Sequence, residues 1–321
     1  MELLERAGEL AELEAIVESG RGRLVLIAGE AGIGKTSLVR ALRERLDATF
    51  LIGACEPLSV PVPLAPLREL AADLEGADAV ALTRSLLEVL RPPAVAVLEE
   101  AHWADPATLD VLRLLARRVE DAGVVVLVTY RDDELAAHPA LAMLVGDLAT
   151  SPATTRMALA PLSPAAVREL ADPAGVDPAE LTRLTGGNPF LVAEALAARG
   201  GLPPSLRDAT MARVGRLGPD ARGVVDAAAV IGQRVPLDLL ASVVAHASVA
   251  VEEALALGVL TDDGTALGFR HELTRQAIES AISAPRRAEL HARVYAALTE
   301  RAPESWRSWR PSSSRAAAGS C

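Results

Sequence analysis

The stretch RLVLIAGEAGIGKTSLVRALRERL, residues 23–46, decides how the rest of the chain is read. RLVLIAG, 23–29, is a short apolar strand that runs into a glycine-rich turn. TSLVRALRERLD, 36–47, has helical spacing. Between them Gly29, Glu30, Ala31, Gly32, Ile33, Gly34, Lys35 and Thr36 fit the pattern G-x-x-x-x-G-K-[ST] in full, with Ser37 in the same first turn. Glycines at this spacing let backbone amides turn inward around phosphates. Lys35 is placed to reach the outer phosphates, and Thr36 to offer a hydroxyl to Mg2+. A helix that starts at the Lys-Thr pair presents its free amides to an anion. A chance glycine turn is the alternative; the strand–loop–helix setting argues against it.

Working outward, ATFLIGAC (48–55), PAVAVLEE (93–100) and GVVVLVTYR (123–131) are further apolar strands, and RMALAPLS (156–163) adds an edge strand. Residues 4–18 form an amphipathic helix, RELAADL and LTRSLLEVL are helical pieces, and PATLDVLRLLARRVED is one helix. PLSVPVPLAPL, 57–67, is extended or looped by its prolines. Strands alternating with helices predict an α/β fold with a parallel sheet covered on both faces. From Ser163 the chain is mainly helical, in short units that begin or end with Pro, Gly or Ser. The expected organisation is a nucleotide-binding domain over 1–162, a helical lid over 163–218, a winged-helix-like domain over 219–303 and a disordered tail over 304–321. The winged-helix reading rests on the order helix, strand, turn, strand, helix in VAVEEALALGVLTDDGTALGFRHELTRQAIES.

Composition sets the limits. A chain of 321 residues suits two domains, or three small ones. Hydrophobic residues make up 50% but aromatics only 2%, so Ala, Leu and Val must do most of the packing. A formal net charge of -11 weighs against a nonspecific nucleic-acid surface, though not against one local basic patch. Two cysteines, Cys55 and Cys321, are too few for a disulfide scaffold, so a reduced, cytoplasmic setting is expected. The N-terminus has no signal-peptide pattern, and no apolar run reaches membrane-spanning length.

Glu99 and Glu100 end the third strand. Alone they are either a solvated pair or a metal-and-water site; beside a phosphate loop the second reading gains. Strand alternation points them in different directions, so they have different jobs. Magnesium demands short, near-octahedral oxygen geometry, and glutamate is one methylene longer than the aspartate expected there. The longer side chain bears on turnover rather than on nucleotide binding. His102 and Trp103 either shield the site or brace the strand end. At the close of the next strand, Thr129 is a candidate for sensing the attacking water. Arg131 either senses phosphate charge or pairs with Asp132 or Glu134 on the surface.

GEAGIGKTSLV, LEEAHWADPATLDVL, VLVTYRDDEL, LTGGNPFLVAEAL and FRHELTRQAI occur in this order. Together they resemble the ATPase region of the signal-transduction ATPases with numerous domains (STAND), a branch of the AAA-like P-loop group. Within it, the large LuxR-type bacterial transcriptional regulators are the nearest match. The resemblance covers about residues 1–300 and implies an α/β P-loop NTPase domain with a parallel sheet, then an α-helical subdomain and a winged-helix-like domain.

Residue by residue, the resemblance implies that Gly29 to Thr36 hold phosphates and that Glu99 and Glu100 are the acidic pair for Mg2+ and water. It makes Arg131 the sensor arginine and sets Pro189 against adenine. His271 becomes the residue that contacts the ADP phosphate in a closed form. Arg6 is a weak candidate beside the adenine pocket, and Cys55 is packing. ATP or ADP is expected between the sheet domain and the later parts, with slow hydrolysis coupled to conformational change in transcriptional regulation. A protein partner or self-association on activation is implied. The rival is an ATP- or ADP-binding module without useful turnover. Direct DNA binding through Arg270, Arg275, Arg286, Arg287 and Arg293 is the least favoured reading. The family's repeat sensor and DNA-binding regions have no counterpart in this sequence. A truncated or frameshifted gene product, or a stand-alone module, would each account for that. Residues 70–93 also look shorter than usual.

Overall fold

The computed structural model describes residues 3–57, 62–70, 78–199, 202–244 and 247–301. The expected disordered tail, 304–321, lies outside them, as do parts of the Pro-rich segment and of RELAADL. The chain divides into two compact units, Met1–Leu162 and Ser163–Cys321.

In the first unit the order is α1 (Ala7–Glu18), β1 (Arg23–Ala28), α2 (Lys35–Arg45), β2 (Thr49–Ala54), α3 (Ala65–Leu70), α4 (Ala79–Val89) and β3 (Ala94–Glu99). Then follow α5 (Pro106–Leu115), α6 (Val119–Ala122), β4 (Val125–Tyr130), α7 (Pro139–Leu148) and β5 (Thr154–Ala158). The five strands form one sheet in the order β2-β3-β4-β1-β5, and every pairing is parallel. The side chains of β1 explain the continuous apolar run. Leu24, Leu26 and Ala28 enter one core, with residues of α3, α4, α5 and α7, while Val25 and Ile27 enter another with Leu10 and Leu13 of α1 and Leu38, Val39 and Leu42 of α2. A strand buried on both faces has no polar side to alternate with.

The single helix expected over 106–121 is two. Backbone bonds from Arg117 N to Leu114 O and from Arg118 N to Leu115 O tighten the chain after α5, and fully buried Val119 starts α6. Such i→i+3 bonds close a helix end. The N-terminal helix starts at Ala7 rather than residue 4, because Glu5 stands in the left-handed region at φ 54 and Arg6 is the non-helical N-cap.

The second unit contains α8 (Pro164–Ala171), α9 (Pro178–Thr185), α10 (Pro189–Ala197), α11 (Pro204–Val214) and α12 (Pro219–Ile231). After them come β6 (Arg234–Val235), α13 (Leu237–Val243), α14 (Ala247–Ala256), β7 (Thr261–Asp262), β8 (Leu267–Gly268), α15 (Glu272–Ala281) and α16 (Ala284–Arg301). Proline opens each of α8 to α12, where its missing N–H is no loss and its fixed φ suits the helix. Ser163, Asp177 and Asn188 cap α8, α9 and α10 by accepting bonds from first-turn amides. The three short strands form an antiparallel sheet in the order β6-β8-β7. β6 was not expected from the sequence; at two residues it carries no periodicity to read. Among the described residues no single helix is long and apolar enough to cross a membrane.

Candidate active site

β1 and β4 are neighbours, but their onward connections run in opposite directions, β1 leading to β2 and β4 to β5. In an open α/β sheet the crevice for a ligand lies at the carboxyl ends of such a pair. The phosphate loop leaves β1 at this end, Arg131 follows β4, and Glu99 and Glu100 end β3 on the far side of β4.

The loop is anchored at several points. Ile33 is 1% exposed and packs in the core shared by α1 and α2. Buried Arg6 donates to Ile33 O at 3.3 Å and also to Ala160 O, tying the loop to the exit of β5. Gly29 stands at φ 154, and a Cβ there would lie 2.7 Å from Ile33 Cγ2, so only glycine fits. Ala31 and Gly32 form the exposed tip, and Gly34 caps α2. Lys35 is buried and donates from Nζ to Gly29 O at 2.7 Å and Glu30 O at 3.0 Å. Burial lowers its pKa, and the negative charge of Glu100 opposes that shift. Thr36 and Ser37 lie exposed in the first turn of α2.

Glu99 and Glu100 differ in backbone and in partners. Glu99 completes β3, with its carbonyl accepting from Cys55 N at 2.9 Å. Among the described residues nothing makes a hydrogen bond or ion pair with its carboxylate. By strand alternation it shares a sheet face with Val95 and Val97, the face that packs with α2. Glu100 leaves the strand in the left-handed region, φ 55 and ψ 43, and its N–H donates to Thr129 Oγ1 at 3.1 Å. Thr129 therefore fixes the Glu100 backbone. The Glu100 carboxylate accepts through Oε2 from Arg131 Nε at 3.2 Å.

Arg131 has a second partner, Glu134, whose Oε1 accepts from Nη1 at 2.9 Å. Burial works against the guanidinium charge, but Glu134 and Glu100 outweigh it and raise the pKa. The pairing with Glu134 expected on the surface is present, yet Glu134 is buried, and Glu100 completes a clamp. His102 lies behind this clamp, fully buried, with Nε2 3.4 Å from Glu100 Oε2 and 3.8 Å from Glu134 Oε2. Its ring packs against Trp103 and His138, with centroids 5.2 and 5.6 Å away. Burial, then the charge of Arg131, pushes its pKa down to about 3.

Glu134 entered the sequence reading only as a surface partner, and His138 did not enter it at all. Glu134 was legible from its spacing to Arg131, but the contact of both residues with His102 joins distant parts of the chain and left no sign in local spacing. Burial pushes the Cys55 thiol up to about 12, as suits a packing residue.

Pro189 and His271 lie in the second unit, where the two quoted motifs meet. Gly186 ends α9 at φ +60, and a Cβ there would sit 2.9 Å from His271 Nδ1. His271 caps α15, and Asn188, just before Pro189, caps α10 through bonds from Phe190 N and Leu191 N at 3.1 and 3.3 Å.

Residues 2–76 match the family described as the AAA ATPase domain. The Walker-type ATPase paby2304 of Pyrococcus abyssi superposes with a TM-score of 0.56 at 16% identity, over 86% of this chain and 96% of that one. The fold is that of a P-loop ATPase. A STAND protein with a tetratricopeptide repeat sensor, PH0952 of Pyrococcus horikoshii, is similar at 16% identity and a TM-score of 0.40, over 94% of this chain and 46% of that one. A protein of Rhizobium meliloti (strain 1021) described as uncharacterized protein R02095 is 27% identical over 393 residues, covering 93% of this chain. The chain spans 37% of that relative's length.

Proposed function

We propose that this chain is an ATP-binding switch ATPase of signal transduction, one that hydrolyses ATP slowly and couples nucleotide state to conformation in transcriptional regulation. One observation carries the reading: a complete phosphate loop, an acidic strand end and an arginine sit at the same end of one parallel sheet, around its switch point. Lys35 and the first-turn amides of α2 are suited to phosphate oxygens, and Arg131 to γ-phosphate charge. Glu100, held by backbone and side chain, is suited to orient a water.

The donor set fits magnesium. Thr36 offers a hydroxyl and Glu99 a carboxylate with no described partner, both hard oxygen donors, and Mg2+ is commonly held by one or two carboxylates plus substrate phosphates. Glu100 is the weaker metal candidate because Arg131 already engages it. When bound, the ion would neutralise charge that builds on the phosphates.

Calorimetry tests the reading. Lys35→Ala is expected to weaken ATP and ADP binding by roughly a hundredfold or more. Unchanged affinity removes the phosphate-loop assignment. A non-hydrolysing module is the second reading, favoured by the Glu100–Arg131 pair, which occupies both groups at once. Single-turnover phosphate release with Mg2+ separates the two. We infer that His271, which lies against the loop between α9 and α10, contacts the ADP phosphate; His271→Ala should then weaken ADP more than ATP.

The DNA-binding alternative loses support. Arg275 is buried and pairs with Glu272 and Glu279 at 2.6 and 2.7 Å, and Arg286 and Arg293 both pair with Glu289. Arg275 is thus withdrawn from the surface, and Arg286 and Arg293 share one carboxylate.

A further inference from the structure

Glu100 Oε2 has nitrogen neighbours from two side chains, Arg131 through Nε and Nη2 and His102 through Nε2. Arg131 reaches it with Nε at 3.2 Å, and His102 Nε2 stands 3.4 Å away, just beyond ordinary hydrogen-bond length. The His102 side chain is fully buried, and neither ring nitrogen makes a hydrogen bond among the described residues. Buried polar groups are normally satisfied, and one left unmade is costly. The ring itself is well fixed, packed edge-on to His138 and tilted against Trp103. A fixed, dry imidazole beside one carboxylate oxygen that is already shared calls for an explanation.

We propose that His102 is a positioning residue that takes over the Glu100 Oε2 oxygen when Arg131 turns toward a phosphate. The inference rests on the reading of Arg131 and Glu100 as γ-phosphate and water groups. Arg131 cannot serve a phosphate and keep its full clamp on Glu100 and Glu134. Once it leaves, Glu100 would swing freely unless another donor holds it. A small movement of the released Glu100 carboxylate that shortens this contact and lines it up with Nε2–H makes the hydrogen bond. The imidazole is neutral at neutral pH, so it carries one N–H, and that proton must sit on Nε2. Glu134, the other carboxylate near this nitrogen, is 3.8 Å away and less well placed. His138 and Lys35, also close, are donors or neutral rings and offer Glu100 Oε2 no competing contact among those described.

Two measurements on the full chain test this. Nitrogen-15 spectra of the imidazole, with a non-hydrolysable ATP analogue and Mg2+, should show the Nε2–H tautomer for His102. The Nε2 resonance should move in Glu100→Ala. The Nδ1–H tautomer, or no response to Glu100→Ala, overturns the proposal. Side-chain replacement gives the second test. His102→Gln keeps an N–H near the Nε2 position, whereas His102→Asn and His102→Phe do not. Single-turnover hydrolysis should fall roughly tenfold to a hundredfold in the latter two and return in His102→Gln, with ATP affinity changed less than about twofold. Equal loss in all three, or no loss in His102→Phe, overturns it. A wild-type chain that binds ATP through Lys35 yet releases no phosphate refutes the hydrolytic reading instead. The tautomer then still decides whether His102 holds Glu100.

Discussion

Glu100 and Arg131 show how one residue's environment sets its chemistry. The same arginine that suits a phosphate is held by Glu100 and Glu134, with burial opposing and the carboxylates restoring its charge. Removing the clamp by Glu134→Gln should free Arg131 and raise ATP affinity, with ADP affinity little changed; a fall in ATP affinity would show instead that Glu134 orients the arginine for its ligand. Cys55 is the opposite case. With its thiol pushed up to about 12, the thiolate is scarce at pH 8. Alkylation of Cys55 in the native protein should be far slower than in denaturant, as peptide mass analysis would show. Equal rates would mean that the residue opens readily to solvent. His102 contributes to pH dependence with a definite sign. Its pKa is lowered on folding, to about 3, so the unfolded chain binds a proton that the folded chain refuses. Stability should therefore decline as pH falls from about 6.5 toward 3, and urea titrations should show a shallower decline for His102→Phe.

At the scale of elements, Asp105 joins two functions. It caps α5 by accepting from Ala107 N and Thr108 N, and it accepts from Leu64 N across the domain at 3.1 Å. Asp105→Ala loses a cap and leaves a buried amide unmet, so a cost of about 1–3 kcal/mol is expected in denaturant unfolding. A loss near zero would show that water replaces both. The proline starts of α8 to α12 and the two-faced strands were legible because each depends on neighbours within a few residues. The break after α5 was not. PATLDVLRLLARRVED is helical throughout by spacing, and the chain turns there only so that Val119 can enter the core before β4.

For the whole molecule, the boundary at Leu162 separates complete cores. The two clusters that cover the parallel sheet draw every member from the first unit, and the cluster around α12 draws every member from Val214 to Ala297. Residues 1–162 expressed alone should thus unfold cooperatively, as calorimetric melting would show; a broad, featureless melt would mean the sheet needs the second unit.

The phosphate loop, the apolar strands and the acidic strand end were determined by the sequence itself, since each is a short run whose meaning lies in its own spacing. Only the tertiary structure decided that β4 inserts between β1 and β3. That order brings Arg131 to Glu100 across 31 residues and fixes which carboxylate it clamps. It also decided that Arg6 braces the loop through Ile33 and that His102 stands behind Glu100 with its nitrogens dry. Strand order depends on which crossovers pack best over the whole sheet, and a buried charge depends on partners far along the chain. Neither is written in any local stretch of residues.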